Sequence, residues 1–115
     1  MIYKAKIKGV KPLSANHIFG SNGKVRSKTA DYVQFCKDMD LLLPKGYIPG
    51  QVEMIIKFGL IKHSYVRCDV DNLAKATIDA IGSKQIIDND SKILKLELSK
   101  YGSKDYVIDI HIKKI

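Results

Sequence analysis

Asp69 and Asp71 stand two residues apart in the stretch from Arg67 to Ile93, RCDVDNLAKATIDAIGSKQIIDNDSKI. Lys75 follows one helical turn later, and Asp88 and Asp90 return in a turn ahead of a strand. Five of the chain's 12 acidic residues, these four aspartates and Asp79, fall in this segment, although the formal net charge is +8. Hard divalent cations such as Mg²⁺ take a few carboxylate oxygens from a protein and the rest from water and substrate phosphates. Asp69 and Asp71 lie in an extended lead-in, so both reach one point if the chain bends at the helix start. Asp90 adds a third oxygen if its turn packs beside that helix. Carboxylates crowded together raise one another's pKa, and a bound cation, helped by Lys75, relieves that repulsion. A cation so held activates water and stabilises charge on an attacked phosphate. The same residues also fit a purely structural account. In that account Asp71 is an N-cap, Lys75 is half of an i,i+4 pair, and Asp88-Asn89-Asp90 is an ordinary polar turn.

Composition narrows the setting. A chain of 115 residues suits one compact domain over residues 1–115, and 45% hydrophobic residues suffice for a core. No apolar run approaches the roughly 20 residues of a membrane span, and the lysine-studded start MIYKAKIKGV is not a secretory signal. Cys36 and Cys68 have no metal-ligand spacing, which fits two inert thiols in a reducing cytoplasm. Twenty Lys and Arg residues favour a phosphate-rich partner, since each neutralised phosphate releases counterions. Charge alone also allows a small basic protein whose lysines are merely solvated.

The elements that must position the acids follow from periodicity. Ile2 to Val10 alternates as a strand, and Lys11 to Gly23 reads as a loop. Ser27 is a plausible N-cap for a helix from Lys28 to about Leu43, with Ala30, Val33, Met39 and Leu42 facing inward and Pro44 and Gly46 stopping it. Gln51 to Ile61 alternates as a second strand. A helix capped by Asp71 runs to about Gly82 with Asp71, Asn72, Lys75 and Asp79 on one polar stripe. Strands from Ser91 to Tyr101 and from Asp105 to Lys113 are joined by a short link that suggests an antiparallel hairpin. The order β-α-β-α-β-β predicts an α+β fold, a mixed four-stranded sheet with two helices packed on it.

The run Asp69-Val70-Asp71-Asn72-Leu73, with Lys75, Asp79-Ala80-Ile81 and then Asp90-Ser91-Lys92-Ile93, resembles the signature of the RusA family of Holliday junction resolvases. Pro12-Leu13-Ser14-Ala15-Asn16 is similar to the pattern that opens family members. The resemblance implies a small bacterial or phage-encoded endodeoxyribonuclease, cytoplasmic, acting on four-way DNA junctions. Asp69, Asp71 and Asp90 become the essential metal-binding acids, with Lys75 as a functionally important lysine and Asn72 and Asp79 in support. Mg²⁺ is the implied cofactor, with Mn²⁺ as a substitute and no organic cofactor. Cuts leaving 5′-phosphate and 3′-hydroxyl ends are implied, made as paired symmetric nicks. A two-fold homodimer supplies two sites related as the opposed strands are. One departure stands out: Asn89 precedes Asp90 where the family usually has a second acid. Asn89 still offers a carbonyl oxygen, and Asp88 restores a charge one residue earlier.

Candidate DNA contacts lie around this motif. Lys24, Arg26 and Lys28 form a basic patch, and Lys62, His63 and Arg67 lead into the acids, where they can guide phosphates. Asn16 joins them through the resemblance alone. Tyr65 fits a sheet-edge packing residue better than a base-stacking one, and His17 and His111 have no partner spacing. Two other readings stay open: a less selective nuclease acting on flaps or other branched DNA, and a non-catalytic basic DNA-binding module whose acids are structural.

Overall fold

The structure, a computed structural model, describes residues 1–22, 25–61 and 64–115. Its centre is a mixed four-stranded sheet built from β1 (Ile2–Lys8), β4 (Val52–Ile61), β5 (Ile93–Ser103) and β6 (Val107–Lys114), in the order β1-β6-β4-β5. A small antiparallel pair, β2 (Phe19–Asn22) and β3 (Val25–Lys28), forms a second sheet. The described α-helices are α1 (Ala30–Leu42), the single turn α2 (Ser64–Arg67) and α3 (Val70–Ser83), with two short 3-10 turns at Ala15–His17 and Asp90–Lys92. The α+β architecture is therefore the expected one, with two full helices on a mixed sheet.

Alternation places the core. Tyr3, Ala5 and Ile7 of β1, Ile108, Ile110 and Ile112 of β6, and Met54, Ile56 and Phe58 of β4 are all buried on the face that the helices cover. Lys4, Lys6 and Lys8 point the other way and are exposed, as the period of two requires. No described helix is long and apolar enough to cross a membrane.

Two expectations are corrected here. β5 and β6 are not a hairpin: β5 runs parallel to β4, while β6 lies antiparallel between β4 and β1. Burial decides between these pairings. Ile108, Ile110 and Ile112 are fully buried and suit an interior strand, whereas Leu94 and Leu96 are 56% and 41% exposed and suit an edge. The three residues 104–106 cross the end of β4 instead of folding back. A parallel neighbour needs a crossover connection, and α3 supplies it. The stretch expected to be a loop also contains β2, which pairs with β3 just beyond it; these short strands carry too little alternation to be seen in sequence.

Helix α1 opens later than expected, at Ala30, because Thr29 rather than Ser27 is the cap; its hydroxyl accepts from the Tyr32 amide at 3.1 Å. Its inward stripe is Tyr32, Phe35 and Met39, while Val33 and Leu42 are 43% and 50% exposed. Only Met39 was placed inside correctly, since Ala30 and Val33 lie across the helix from it. Helix α3 matches its reading closely, with Leu73, Ala74, Ala76, Thr77, Ala80 and Ile81 buried. The buried Thr77 hydroxyl donates to the Leu73 carbonyl, so it enters the core already satisfied. At the far end the Ile86 amide donates to the Ile81 carbonyl across Gln85, whose φ of 61° is left-handed. That closing turn redirects the chain towards Asp88 and Asp90.

Candidate active site

The head of α3 carries the first pair of acids. Asp69 takes the N-cap position in an extended conformation (φ −77°, ψ 125°), and its side chain makes no capping hydrogen bond. Asp71 sits in the first turn and is exposed. The expected role of Asp71 as the cap is therefore corrected, because the helix begins at Val70, two residues before the start that an Asp71 cap would give. Neither carboxylate has a hydrogen bond or ion pair to any described residue. The lead-in is nevertheless fixed: the Lys100 ammonium of β5 donates to the Cys68 carbonyl, and the Asn72 amide donates to the Asp69 carbonyl at 3.1 Å. The backbone that carries the two carboxylates is thus held, while no described residue engages their oxygens.

One turn along, Lys75 and Asp79 form an ion pair with Nζ 2.9 Å from Oδ1. Tyr32 of α1 donates its hydroxyl to the other oxygen, Oδ2, at 3.1 Å. The hydrogen bond to Asp79 holds the Lys75 ammonium above its ordinary pKa, assisted by the charge of Asp79 and, less, by that of Asp90. Burial pushes the Tyr32 phenol well above the ordinary tyrosine value, with Cys36 and Asp79 adding to the shift. Lys28 lies over the Tyr32 ring, 5.2 Å from its centroid. Tyr32 was missed in sequence. Its only local signal is its type, an aromatic with a polar tip that needs a partner when buried.

The acidic turn closes this side of the site. Asp88 is engaged through both oxygens: Oδ1 accepts from the Tyr47 hydroxyl and Oδ2 from the Gly50 amide at 2.9 Å. The Tyr47 bond, followed by the Gly50 amide and the Lys92 charge, holds the Asp88 carboxyl below the usual carboxylate range. Asn89 caps the short 3-10 turn Asp90–Lys92, its Oδ1 accepting from the Ser91 amide at 3.0 Å and from the Ser91 hydroxyl. Both residues read as reserve ligands are thus committed to the turn. All three are exposed, but Asp90 alone makes no side-chain hydrogen bond to a described residue, and its charge is felt by Lys75.

A cleft of about 510 Å³ joins these groups, lined by Phe19, Lys28, Tyr32, Lys75, Asp79 and Asp90 among others. Asp69 and Asp71 lie outside it, at the head of α3. Among the described residues no three His, Cys, Asp or Glu side chains are grouped to hold one metal ion. The donor set still fits Mg²⁺ or Mn²⁺. Such ions keep several waters and bind through one or two carboxylates plus phosphate oxygens, and Asp69 and Asp71 are two hard donors with no partner among the described residues. Arg67 is exposed at the end of α2, two residues before Asp69, and Asn16 is exposed on a 3-10 turn (Ala15–His17) that packs against α3. Lys24, Lys62 and His63 lie outside the described residues, as does the side chain of Arg26. Cys36 and Cys68 are free thiols, and His111 lies 3.6 Å from Asp109 on β6, away from the acids.

Carboxylates beside an ammonium, in a strongly basic chain, are the equipment of a nuclease that hydrolyses phosphodiesters. The family model for endodeoxyribonuclease RusA matches residues 10–113, and the chain belongs to the RusA endodeoxyribonuclease family. Comparison with curated proteins gives no significant match.

Proposed function

We propose that the chain is a Mg²⁺-dependent, structure-selective endodeoxyribonuclease that resolves four-way DNA junctions by paired symmetric nicks, working as a homodimer. The observation that carries this reading is the pair Asp69 and Asp71: both are fixed at the head of α3, yet no described side chain or backbone group engages either carboxylate. An acid kept for capping or for a structural ion pair is not left in that state.

When bound, the cation supplies a more acidic water and charge neutralisation at the phosphate. The chain's own residues do the rest. Asp69 and Asp71 provide the oxygens, and Lys75, anchored by Asp79 and through it by Tyr32, directs a fixed positive charge at the phosphate as negative charge builds up. Asp90 faces the same ammonium from the acidic turn.

The dimer has a natural place. The β1 edge is guarded by Lys4, Lys6 and Lys8, a device that discourages pairing. The β5 edge instead exposes Leu94, Leu96 and Tyr101 along 11 residues. β5 starts beside Asp90 and ends level with the Cys68 lead-in that Lys100 holds. Antiparallel pairing of two β5 strands about a two-fold axis would carry each chain's Asp90 end towards the other chain's Asp69 and Asp71.

The test is cleavage of a four-way junction, a flap and a linear duplex in Mg²⁺ by the wild type and by Asp69→Asn, Asp71→Asn and Asp90→Asn. Each variant should lose cleavage yet keep or tighten junction binding as local negative charge falls. Normal Mg²⁺-dependent cutting by Asp71→Asn overturns the site. Equal cutting of all three substrates overturns junction selectivity.

A further inference from the structure

The turn that presents Asp90 is held from outside itself. The Ile48 amide donates to the Ile86 carbonyl at 2.8 Å, and Ile48 pairs with Ile87 in a parallel bridge. All three isoleucines are essentially buried, at 2%, 0% and 1% exposure for Ile48, Ile86 and Ile87. The chain leaves that buried step at Asp88. There the segment from Tyr47 to Gly50 takes hold of its carboxylate twice, through the Tyr47 hydroxyl and the Gly50 amide. Gly50 adopts a left-handed φ of 75°, a conformation that costs glycine little. Beyond Asp88, Asn89 caps the 3-10 turn. All three polar residues of the turn line the cleft, but only Asp90 keeps a carboxylate that no described residue engages.

We infer that Tyr47 is a positioning residue for Asp90, acting through Asp88. The hydroxyl fixes the Asp88 carboxylate, the carboxylate fixes the start of the turn, and the turn sets where the Asp90 oxygens stand relative to Lys75. The inference rests on the reading of Asp90 as an essential acid. It also gives Asp88 and Asn89 a role other than ligation: they form the support for the one acid that the turn presents. Tyr47 is 53% exposed and Asp88 is exposed as well, so neither is needed to fill the core. What the clamp contributes is geometry, because outer groups that orient a metal-binding side chain typically carry about 10–100-fold in affinity or activity.

The experiment pairs two readouts on Tyr47→Phe, Asp88→Asn and Asp88→Leu, with Asp90→Asn alongside. Amide hydrogen exchange over residues 86–92, measured without metal, reads the clamp. The Mg²⁺ concentration for half-maximal junction cleavage reads the position of Asp90. Tyr47→Phe should speed exchange in the turn and raise that Mg²⁺ midpoint roughly 10–100-fold, while the rate at saturating Mg²⁺ and junction binding in chelator stay near wild type. Asp88→Asn keeps an acceptor oxygen and should fall between wild type and Asp88→Leu. Faster exchange with an unchanged Mg²⁺ midpoint overturns the inference and leaves Tyr47 a structural staple. Unchanged exchange overturns the clamp itself. Full cleavage by Asp90→Asn is a different failure: it removes the site reading, and the inference with it, even where exchange has changed.

Discussion

Lys75 reaches back along α3 to Asp79, its ammonium 2.9 Å from one carboxylate oxygen while Tyr32 occupies the other. Stability does not account for this arrangement. An exposed i,i+4 pair contributes about 0.3–0.5 kcal/mol, and here the lysine precedes the acid, the weaker orientation on a helix. The pair instead fixes where a flexible ammonium points. Lys75→Met should leave thermal stability within about 0.5 kcal/mol of wild type while lowering the single-turnover rate of junction cleavage roughly 100–1,000-fold, the usual cost of removing one charge-stabilising donor. Tyr32→Phe should lower the rate less, because Lys75 keeps its bond to Asp79. Wild-type turnover by Lys75→Met would assign the lysine to the fold alone.

Alkaline pH should loosen the packing of α1. Burial raises the phenols of Tyr3 and Tyr32 above the ordinary tyrosine value of 10.0, with Cys36 and Asp79 adding to the shift at Tyr32. The fold therefore favours their protonated forms. The stability this provides is fully present below pH 10.0, the unfolded value, and is lost as pH rises towards the higher folded values. Chemical denaturation from pH 8 to 11.5 should show midpoints falling through the upper part of that range. Tyr32→Phe should fall less steeply there, and a slope unchanged from wild type would remove Tyr32 as a source.

How far the sequence reveals this molecule depends on the range of each interaction. Alternation in β1, β4 and β6 and the apolar faces of α3 are local patterns, and each was placed within a few residues. The places of Asp69, Asp71 and Lys75 on the first turns of α3 are legible for the same reason, since they follow from one local helix start. The exchange of hairpin for crossover at β5 and β6 was not legible, because it depends on which strand buries both neighbours. The bonds that organise the site also span the chain: Tyr32 to Asp79 crosses 47 residues and Tyr47 to Asp88 crosses 41. No spacing rule connects such partners, so Tyr32 and Tyr47 looked like ordinary aromatics.

The end of α3 offers a stabilising change. Gln85 occupies the left-handed position after the helix, φ 61°, which a non-glycine residue takes at a cost of about 1–2 kcal/mol. Its amide donates to the Gly82 carbonyl at 3.0 Å, and its side chain is exposed. Gln85→Gly keeps the backbone bond and removes the Cβ strain. After the added flexibility of the unfolded chain is subtracted, a gain of roughly 0.5–1 kcal/mol remains, a rise of a few degrees in Tm. Calorimetry checks it, and a lower Tm would mean that the Gln85 side chain contributes more than its backbone strain costs.

The β5 edge predicts how the protein assembles. Leu96 is 41% exposed on the same face as the buried Met54, so it extends the core towards the rim of the sheet, where the described residues leave it partly open. Pairing through β5 would cover it, and a charge there should be tolerated by the monomer but not by the pair. Leu96→Lys is expected to fold with a Tm close to wild type and to weaken self-association by roughly thirtyfold or more, the equivalent of about 2 kcal/mol at a central contact. Lys6→Ala, on the opposite edge, should leave association unchanged. Sedimentation over a concentration series measures both. If cleavage depends on two chains, junction nicking by Leu96→Lys should recover as protein concentration rises through the new dissociation constant. A Leu96→Lys protein that stays as dimeric as wild type would move the interface away from β5.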